Sequence, residues 1–402
     1  MDLEDISKLV KKNDSKIVYL VMDGLGGHPI NQDGLTELET AKTPNLDELA
    51  KKSICGLQIP VGSGVTPGSG PGHLGIFGYN PLKYKVGRGV LAANGIGFNL
   101  KDGDVAARGN FATIDHEGKV TDRRAGRISS EKNVELCKKL CENIRLSDTE
   151  LFIQTVKEHR FLLVLRGNEL SGDLYDTDPQ EIGVKPLNPR GFPEGAEKTV
   201  SLVNNFLKQA EEILKDESPA NMVLLRGFSQ KPSWPSFPEI FGLKSAAIAC
   251  YPMYKGLAKL IGMDVIQTGE TIEDEFDTLK EKWDDYDFFF LHVKKTDSYG
   301  EDGNFDAKVK VIEETDSMIP RLIDLNPDVI IVTGDHSTPS LLKSHSWHPV
   351  PLLIFSKQCR PDNVKSFGES TCITGGLGPR LPAVEIMPIA LANALRLEKF
   401  GA

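Results

Sequence analysis

The sequence predicts an α/β protein in which helices flank a mostly parallel sheet, with a smaller α+β domain inserted into that core. Three observations lead to this prediction. Strand and helix signals alternate along most of the chain, as they do in proteins built on parallel sheets. Several short runs rich in β-branched and aromatic residues are almost wholly apolar, which is typical of strands buried on both faces. The middle of the chain has a different texture, with an acidic and then proline-rich loop over residues 173–193.

Composition narrows the functional class. The 402 residues are enough for two domains, and 47 basic against 57 acidic residues give a net charge of −10, which argues against nonspecific nucleic-acid binding. No apolar run is long enough to cross a bilayer, and the polar N-terminus does not resemble a signal peptide. The six cysteines include no C-x-x-C pair and are interpreted as reduced thiols, although Cys137 and Cys141 could share a metal. We therefore expect a cytoplasmic protein without nucleic-acid or membrane partners, and leave open whether it forms a homo-oligomer.

The predicted core is discontinuous and comprises residues 1–90 and 235–402. Its first part contains a strand at 17–22, a helix at 45–52 and a glycine- and proline-rich segment at 60–89. Thr43 is the predicted N-cap of that helix, and Pro44 lies in its first turn. We interpret that segment as active-site loops around one short helix. The second part contains strands at 245–249, 286–293, 329–333 and 350–355, and helices at 253–262, 305–325 and 384–395.

Residues 91–234 form the predicted inserted domain. Its predicted strands span 104–115, 161–166 and 222–226, and its helices span 130–144 and 197–215.

Three of the predicted core strands lead into an aspartate, namely Asp23, Asp297 and Asp335. In an open α/β sheet, ligands bind outside the carboxyl ends of the strands, so these three carboxylates should meet. Unpaired they would repel one another, and a cation between them is the simplest way to keep them ionised. The sequence therefore predicts a site for a hard metal ion.

The glycines that follow Asp23 do not indicate a nucleotide. Their spacing is G-x-G-G rather than G-x-G-x-x-G, and Pro29 and Gly34 interrupt any helix that should follow. A tight turn of no special function is the alternative to a metal-binding strand end.

A serine lies in the PGSGPGH segment of residues 67–73. Ser69 precedes an apolar, helix-like run, and the N–H groups at the start of a helix favour negative charge. A neighbouring metal ion would activate its hydroxyl as a nucleophile. A flexible loop with a helix-capping serine is the alternative.

Histidines and acids complete the predicted site. The pair Asp335-His336 ends a strand, and His345 follows nine residues after His336, which suits a divalent ion with mixed nitrogen and oxygen ligands. Asp297 begins an acidic segment that lacks the EF-hand pattern, in which Asp297 and Glu301 could bind one ion. A solvated acidic turn is the alternative for that segment.

Basic residues of the predicted insert indicate an acidic substrate. Arg108, Arg123, Arg124 and Arg127 lie close in sequence, and Arg226, like Lys255 beyond the insert, follows a strand-like run. Guanidinium groups match phosphate and carboxylate oxygens in pairs, so a local arginine group on an acidic protein suggests a phosphorylated substrate. A cluster of surface salt bridges is the alternative.

Taken in order, these motifs resemble those of the cofactor-independent phosphoglycerate mutases, in the archaeal-type branch of that family, which belongs to the alkaline phosphatase superfamily. The resemblance extends from Lys16 to the C-terminus. It depends on the stretches TPNLDELAKKSICGL, PGSGPGHLGIFGYNP, GRGVLAANGIGF, DVAARGNFATID, DRRAGRI, YPMYKGLAKLIGMD and GDHSTPSLLKSH.

The resemblance implies an alkaline-phosphatase-like core that binds two divalent metal ions, with Ser69 as the nucleophile. One ion would be held by Asp23, Ser69, Asp335 and His336, and the other by Asp297, His345 and the residue at position 301. The wider superfamily and many members of this branch carry histidine at that last place, in a D-x-x-G-H pattern, whereas this chain has Glu301, with Asp302 as the alternative ligand. The harder oxygen of glutamate favours manganese or magnesium over zinc. We expect manganese, with magnesium, cobalt or zinc as alternatives, and neither 2,3-bisphosphoglycerate nor a nucleotide.

The resemblance also implies the interconversion of 2- and 3-phosphoglycerate in glycolysis and gluconeogenesis through a phosphoserine, with the insert acting as a lid. The implied substrate contacts are His73, Asn110, Arg123, Arg124, Arg127, Arg226 and Lys255. The alternatives are a homoserine-kinase-like phosphotransferase or a phosphatase on the same framework, and a noncatalytic metal- or phosphate-binding protein with a decayed site.

Overall fold

The computed structural model describes residues 2–31, 34–192 and 196–401, and its internal contacts divide the chain into two compact units. The first unit comprises residues 1–85, 234–251 and 258–402, and the second comprises residues 86–233 and 252–257. The short segment 252–257 carries Lys255, so this residue belongs to the second unit and not to the core, where the sequence analysis placed it.

The strands of the described residues are, in chain order, β1 (Ile17–Met22), β2 (Ile54–Ile59), β3 (Val105–Ile114), β4 (Val120–Asp122), β5 (Glu150–Lys157), β6 (Arg160–Arg166), β7 (Met222–Ser229), β8 (Ser245–Ala249), β9 (Asp264–Ile266), β10 (Phe288–Val293), β11 (Val329–Thr333), β12 (Val350–Ser356) and β13 (Gly378–Pro382). The helices are α1 (Leu3–Ser7), α2 (Glu37–Thr40), α3 (Pro44–Ala50), α4 (Ser69–Ile76), α5 (Arg88–Gly95), α6 (Ser130–Asn143), α7 (Glu197–Leu214), α8 (Phe237–Phe241), α9 (Pro252–Leu260), α10 (Ile272–Glu281), α11 (Lys295–Asp302), α12 (Phe305–Asp324), α13 (Glu369–Cys372) and α14 (Ile386–Asn393).

An eight-stranded sheet in the order β13-β2-β12-β11-β1-β10-β8-β9 forms the centre of the first unit. Only β12 runs antiparallel to its neighbours β11 and β2, and the other pairs are parallel. The register aligns Met22 of β1 with Val293 of β10, and Val21 of β1 with Thr333 of β11. The carboxyl ends of β1, β10 and β11 therefore lie side by side.

Both faces of this sheet are covered, which explains why its strands are continuous apolar runs. All six residues of β1 are buried. On one face Leu20 and its neighbours pack with apolar side chains of α3, α10 and α12. On the other face the Tyr19 ring makes edge-to-face contacts with Phe77 and Phe288, at centroid distances of 6.4 and 6.2 Å. Burial of each such side chain contributes about 1.5–3 kcal/mol to the stability of the fold. The strand ends that carry polar groups are therefore held in place by a well-packed core.

The second unit contains a five-stranded antiparallel sheet. In it β3 lies between β6 and β7, β5 pairs with β6, and β4 pairs with the end of β3. One face packs against α6 and α7, with Ala107, Leu163 and Phe206 among the buried residues. Arg108 and Asn110 alternate with these core positions along β3 and therefore point to the opposite face.

The predicted fold class is confirmed, with a mostly parallel sheet flanked by helices and a second, smaller α+β unit. Strands β1, β8 and β11 have the predicted bounds, and the other predicted elements are present with shifts of a few residues at their ends. The predicted cap of α3 differs in detail, because the Thr43 side chain makes no capping hydrogen bond. Instead Asp316 of α12 accepts hydrogen bonds from the N–H groups of Asn45 and Leu46, at 3.3 and 2.7 Å. Among the described helices, none has the length and apolar character needed to cross a membrane.

Candidate active site

Two predicted acids meet because their strands are neighbours in register. The Asp23 N–H donates to the carbonyl of Val293, at 2.9 Å, and the Gly24 N–H donates to Oδ1 of Asp335, at 3.0 Å. The Nε2 atom of His336 lies 3.4 Å from Oδ1 of Asp23 and 3.1 Å from Oδ2 of Asp335. All three side chains are fully buried, so water cannot screen their charges.

The third acid reaches the same place from a helix. Asp297 does not lie in a loop, as the acidic segment suggested, but in the first turn of α11. The spacing of four residues puts Glu301 on the same helix face, whereas Asp302 is turned about 100° further round the helix. The Nε2 atom of His345 lies 3.5 Å from Oδ1 of Asp297 and 3.8 Å from Oε1 of Glu301, which is half exposed. This geometry favours Glu301 over Asp302 as a ligand.

The two histidines connect these groups. The rings of His336 and His345 stack with a centroid distance of 3.7 Å and an interplanar angle of 23°. His345 Nδ1 lies 2.9 Å from the carbonyl of Pro67, which can only accept a hydrogen bond, so this nitrogen carries the proton. Its other nitrogen, Nε2, faces the acids.

Ser69 is the first residue of α4 and lies beside the buried acids. Its Oγ lies 3.3 Å from Nε2 of His336. A Cβ atom at position 72 would lie 2.3 Å from the carbonyl oxygen of Asp335, so Gly72 is what lets α4 approach the end of β11. The Nδ1 atom of His73 lies 2.8 Å from the Ser69 carbonyl and 3.0 Å from Oδ2 of Asp335. His73 is fully buried, which favours a supporting role over the substrate contact expected from the sequence.

Lys294 and His292 also belong to this cluster, and the sequence analysis gave neither a role. The Nζ atom of Lys294 lies 2.9 Å from Oδ2 of Asp23 and also contacts Oδ2 of Asp297. His292 Nε2 lies 3.5 Å from Oδ2 of Asp23. The signal for Lys294 was its position three residues before Asp297, one helical turn away. His292 lies within the apolar strand β10. A polar residue buried in such a strand needs a polar partner, which could have indicated that His292 belongs to the site.

The pKa values of Asp23 and Asp335 are shifted in opposite directions. Burial favours the protonated form of Asp23, but Lys294, His292 and His336 outweigh it and hold the pKa of this carboxyl well below its ordinary value. Burial, with repulsion by Asp23, raises the pKa of Asp335. Burial and the neighbouring His345 lower the pKa of His336 to about 3, so this imidazole is neutral at pH 7 and can offer a lone pair. The repulsion between the two acids is relieved if a cation binds between them.

The donor set fits two divalent ions. One ligand atom each from Asp23, Asp335 and His336 lie within 4.8 Å of one another, and so do one each from Asp297, His336 and His345. Carboxylate oxygens with imidazole nitrogens suit manganese, magnesium or zinc. The imidazole of His336 belongs to both groups, whereas the resemblance assigned it to the first ion alone.

The other predicted substrate residues lie in the second unit. Nε and Nη2 of Arg123 each donate to one oxygen of Asp178, both at 2.8 Å, and Nε of Arg226 lies 3.5 Å from Oδ2 of the same carboxylate. The carboxylate of Asp178 is fully buried and holds Arg123 through two hydrogen bonds, whereas Arg226 lies at the same 3.5 Å from Asp176 as from Asp178.

A second part of this arginine group surrounds a buried histidine. Burial lowers the pKa of His159 to about 3, and the charges of Arg160, Arg124, Arg108 and Arg127 act in the same direction. Arg124 and Arg127 are exposed. The predicted contacts Asn110 and Lys255 are buried and half-buried, respectively, and the buried Oδ1 of Asn110 has no hydrogen-bond partner among the described residues.

Comparison with known proteins identifies the family. A sequence profile described as 2,3-bisphosphoglycerate-independent phosphoglycerate mutase matches residues 50–221. The chain is 55% identical to a probable 2,3-bisphosphoglycerate-independent phosphoglycerate mutase of Aquifex aeolicus and 52% identical to one of Thermus thermophilus, with 100% of each chain covered in both cases.

Solved structures agree with this result. A Pyrococcus horikoshii protein has 32% identity and a TM-score of 0.84, covering 97% of this chain and 100% of its own. The cofactor-independent phosphoglycerate mutase of Thermoplasma acidophilum has 30% identity and a TM-score of 0.68, covering 94% and 100%. These similarities confirm the resemblance found in the sequence. The chain therefore belongs to the family of 2,3-bisphosphoglycerate-independent phosphoglycerate mutases and is an isomerase.

Proposed function

We propose that this enzyme interconverts 2- and 3-phosphoglycerate by transferring the phosphoryl group to Ser69 and back. The observation that carries this proposal is the position of the Ser69 hydroxyl, 3.3 Å from Nε2 of His336, whose imidazole belongs to both candidate ligand groups. A serine in such surroundings is suited to nucleophilic attack, since the hydroxyl lies next to the acids and imidazoles that would hold cations.

In this proposal each ion has its own protein ligands. Asp23, Ser69, Asp335 and His336 would hold one ion, and Asp297, Glu301 and His345 the other, with His336 also near the second group. When bound, the ions would neutralise charge on the phosphoryl oxygens and favour the ionised serine. Lys294 adds a positive charge next to Asp23 and Asp297.

The reaction is a pair of transfers. Oγ of Ser69 attacks phosphorus, the bond between phosphorus and the glycerate oxygen breaks, and the proton lost by Ser69 is balanced by one gained on the released glycerate oxygen. The other hydroxyl of glycerate then takes the phosphoryl group from Ser69 with the opposite proton balance. His73 fixes the first turn of α4 by bonding to the Ser69 carbonyl, so we assign it a positioning role.

The second unit would bind the rest of the substrate. Arg123, Arg124, Arg127, Arg226, Asn110 and Lys255 offer cationic and amide groups for phosphate and carboxylate oxygens. Retention of glycerate requires that water be excluded, because water would convert a mutase into a phosphatase. We propose that the second unit acts as a lid for this purpose, that manganese is the bound ion, and that the enzyme serves glycolysis and gluconeogenesis in the cytoplasm.

The experiment follows the phosphoryl group. Wild-type enzyme with manganese and 3-phosphoglycerate, coupled to enolase without nucleotide, should form product, and rapid quenching with mass spectrometry should find phosphate on the peptide that contains Ser69. Ser69→Ala should lose both signals, whereas Ser317→Ala, on the exposed face of α12, should keep them. Release of free phosphate without mutase product, or phosphorylation of homoserine by ATP, would replace the proposed reaction with one of its alternatives.

A further inference from the structure

We propose that Thr338 is a positioning residue, whose hydroxyl fixes the tautomer of His336 and joins that histidine to Asp297. The metal-binding part of this inference rests on the proposed function, but the tautomer does not. The hydroxyl lies between the two groups, with Oγ1 2.7 Å from Oδ1 of Asp297 and 2.9 Å from Nδ1 of His336. Thr338 and His336 are fully buried and Asp297 is nearly so, hence these hydrogen bonds do not compete with water.

The donors and acceptors around the Thr338 hydroxyl favour one arrangement of the protons. A hydroxyl has one proton to donate, and an ionised carboxylate can only accept, so the Thr338 proton points to Asp297. The hydroxyl oxygen must then accept from His336, which requires a proton on Nδ1 of that ring. A neutral imidazole with its proton on Nδ1 has its lone pair on Nε2.

The lone pair on Nε2 faces the buried acids and the Ser69 hydroxyl. Nε2 of His336 is the atom that lies 3.4 Å from Asp23, 3.1 Å from Asp335 and 3.3 Å from the Ser69 hydroxyl. A hydrogen bond from the far nitrogen of a metal-binding histidine fixes both its tautomer and its ring orientation. The same hydroxyl also binds Asp297, which belongs to the second candidate group. Thr338 therefore fixes the position of one candidate ligand relative to the other.

The backbone of Thr338 is itself held in place. The fully buried Lys308 donates from Nζ to the carbonyls of Thr338, Gly24 and Gly26, at 2.9, 2.9 and 3.1 Å. The Thr338 N–H donates to the carbonyl of Gly26, at 3.0 Å. The internal ammonium group therefore joins the turn after β1 to the segment after β11, and the Thr338 hydroxyl has little freedom to turn elsewhere.

The test compares two substitutions of the same residue. Thr338→Val keeps the shape of the side chain and removes the hydroxyl, whereas Thr338→Ser keeps the hydroxyl. We expect manganese affinity of the metal-free protein, measured by calorimetry, to fall by about 10–100-fold in Thr338→Val, as for other supports of metal ligands. It should return to within a few-fold of wild type in Thr338→Ser. Thr374→Val, at an exposed position, controls for the loss of a threonine hydroxyl in general.

A spectroscopic measurement on the wild-type protein keeps the proposal falsifiable even if Thr338→Val does not fold. Histidine ¹⁵N chemical shifts of the metal-free enzyme, with the His336 signals assigned from their absence in His336→Gln, should show the proton on Nδ1 alone. A proton on Nε2, or unchanged manganese affinity in a folded Thr338→Val, would overturn the inference. Neither measurement contains substrate, so a failed phosphoserine experiment would leave the tautomer result standing and the two failures can be distinguished.

Discussion

Glu301 stands where the pattern implied by the resemblance has a histidine, and the surroundings of Glu301 in the structure give this difference a physical consequence. Its carboxylate projects from α11 on the same face as Asp297, 3.8 Å from Nε2 of His345. If it binds the second ion, that ion has a harder set of ligands than one with histidine at this position. Oxygen-rich sets suit manganese and magnesium, while imidazole suits zinc better.

We therefore predict that Glu301→His raises the affinity for zinc relative to manganese by about tenfold. Competition between the two ions, measured by calorimetry on the metal-free protein, gives this ratio directly. Asp302→Asn is the matched control, since that side chain lies on a different part of the helix. An unchanged ratio in Glu301→His with a changed one in Asp302→Asn would mean that the neighbouring acid is the ligand instead.

At the scale of elements, the site depends on how closely α4 can approach the end of β11. Gly72 lies against the backbone of Asp335, where an added Cβ would sit 2.3 Å from a carbonyl oxygen that cannot rotate away. Because Ser69 lies one turn before Gly72 on the same helix, any shift of α4 also moves the nucleophile. The contact thus links the strand that supplies two ligands to the helix that supplies the serine.

We predict that Gly72→Ala lowers the free energy of unfolding by about 1–3 kcal/mol, the usual range for overpacking, and reduces kcat more than it raises KM. Urea unfolding and steady-state kinetics measure the two effects. Gly62→Ala in the preceding loop is the control, since the nearest atom to its added Cβ would be a Val65 methyl at 3.6 Å. Full activity in Gly72→Ala would show that the helix can shift without cost to the chemistry.

The elements also show what the sequence could and could not predict. The acids at 23 and 335 were found because each follows a continuous apolar run, and strands of that kind belong to parallel sheets whose carboxyl ends carry function. Helix α11 was missed because its eight residues, KTDSYGED, serve the site and lack the apolar spacing that identifies a helix. The pairing of Arg123 with Asp178 joins residues 55 positions apart, and no local pattern reports such a contact.

At the scale of the whole molecule, the chain distributes the proposed chemistry between two units. The candidate metal ligands and Ser69 lie in the first unit, and all the predicted substrate residues except His73 lie in the second. Each unit has its own sheet and its own buried core. If the second unit acts as the proposed lid, its closure would exclude water during the interval in which free glycerate must be retained.

We predict that substrate and manganese together slow tryptic cleavage at the junction between the units. Lys83 and Lys85 are exposed and immediately precede the start of the second unit at Val86, so they report on this junction. Lys101, in an exposed loop within the second unit, is the internal control, because closure should leave its cleavage rate unchanged. Mass spectrometry of timed digests gives each rate separately. Protection at all three sites alike would indicate general stabilisation by bound ligand. Equal rates at Lys83 and Lys85 with and without ligand would mean that the second unit does not close, and the exclusion of water would then need an explanation within the first unit alone.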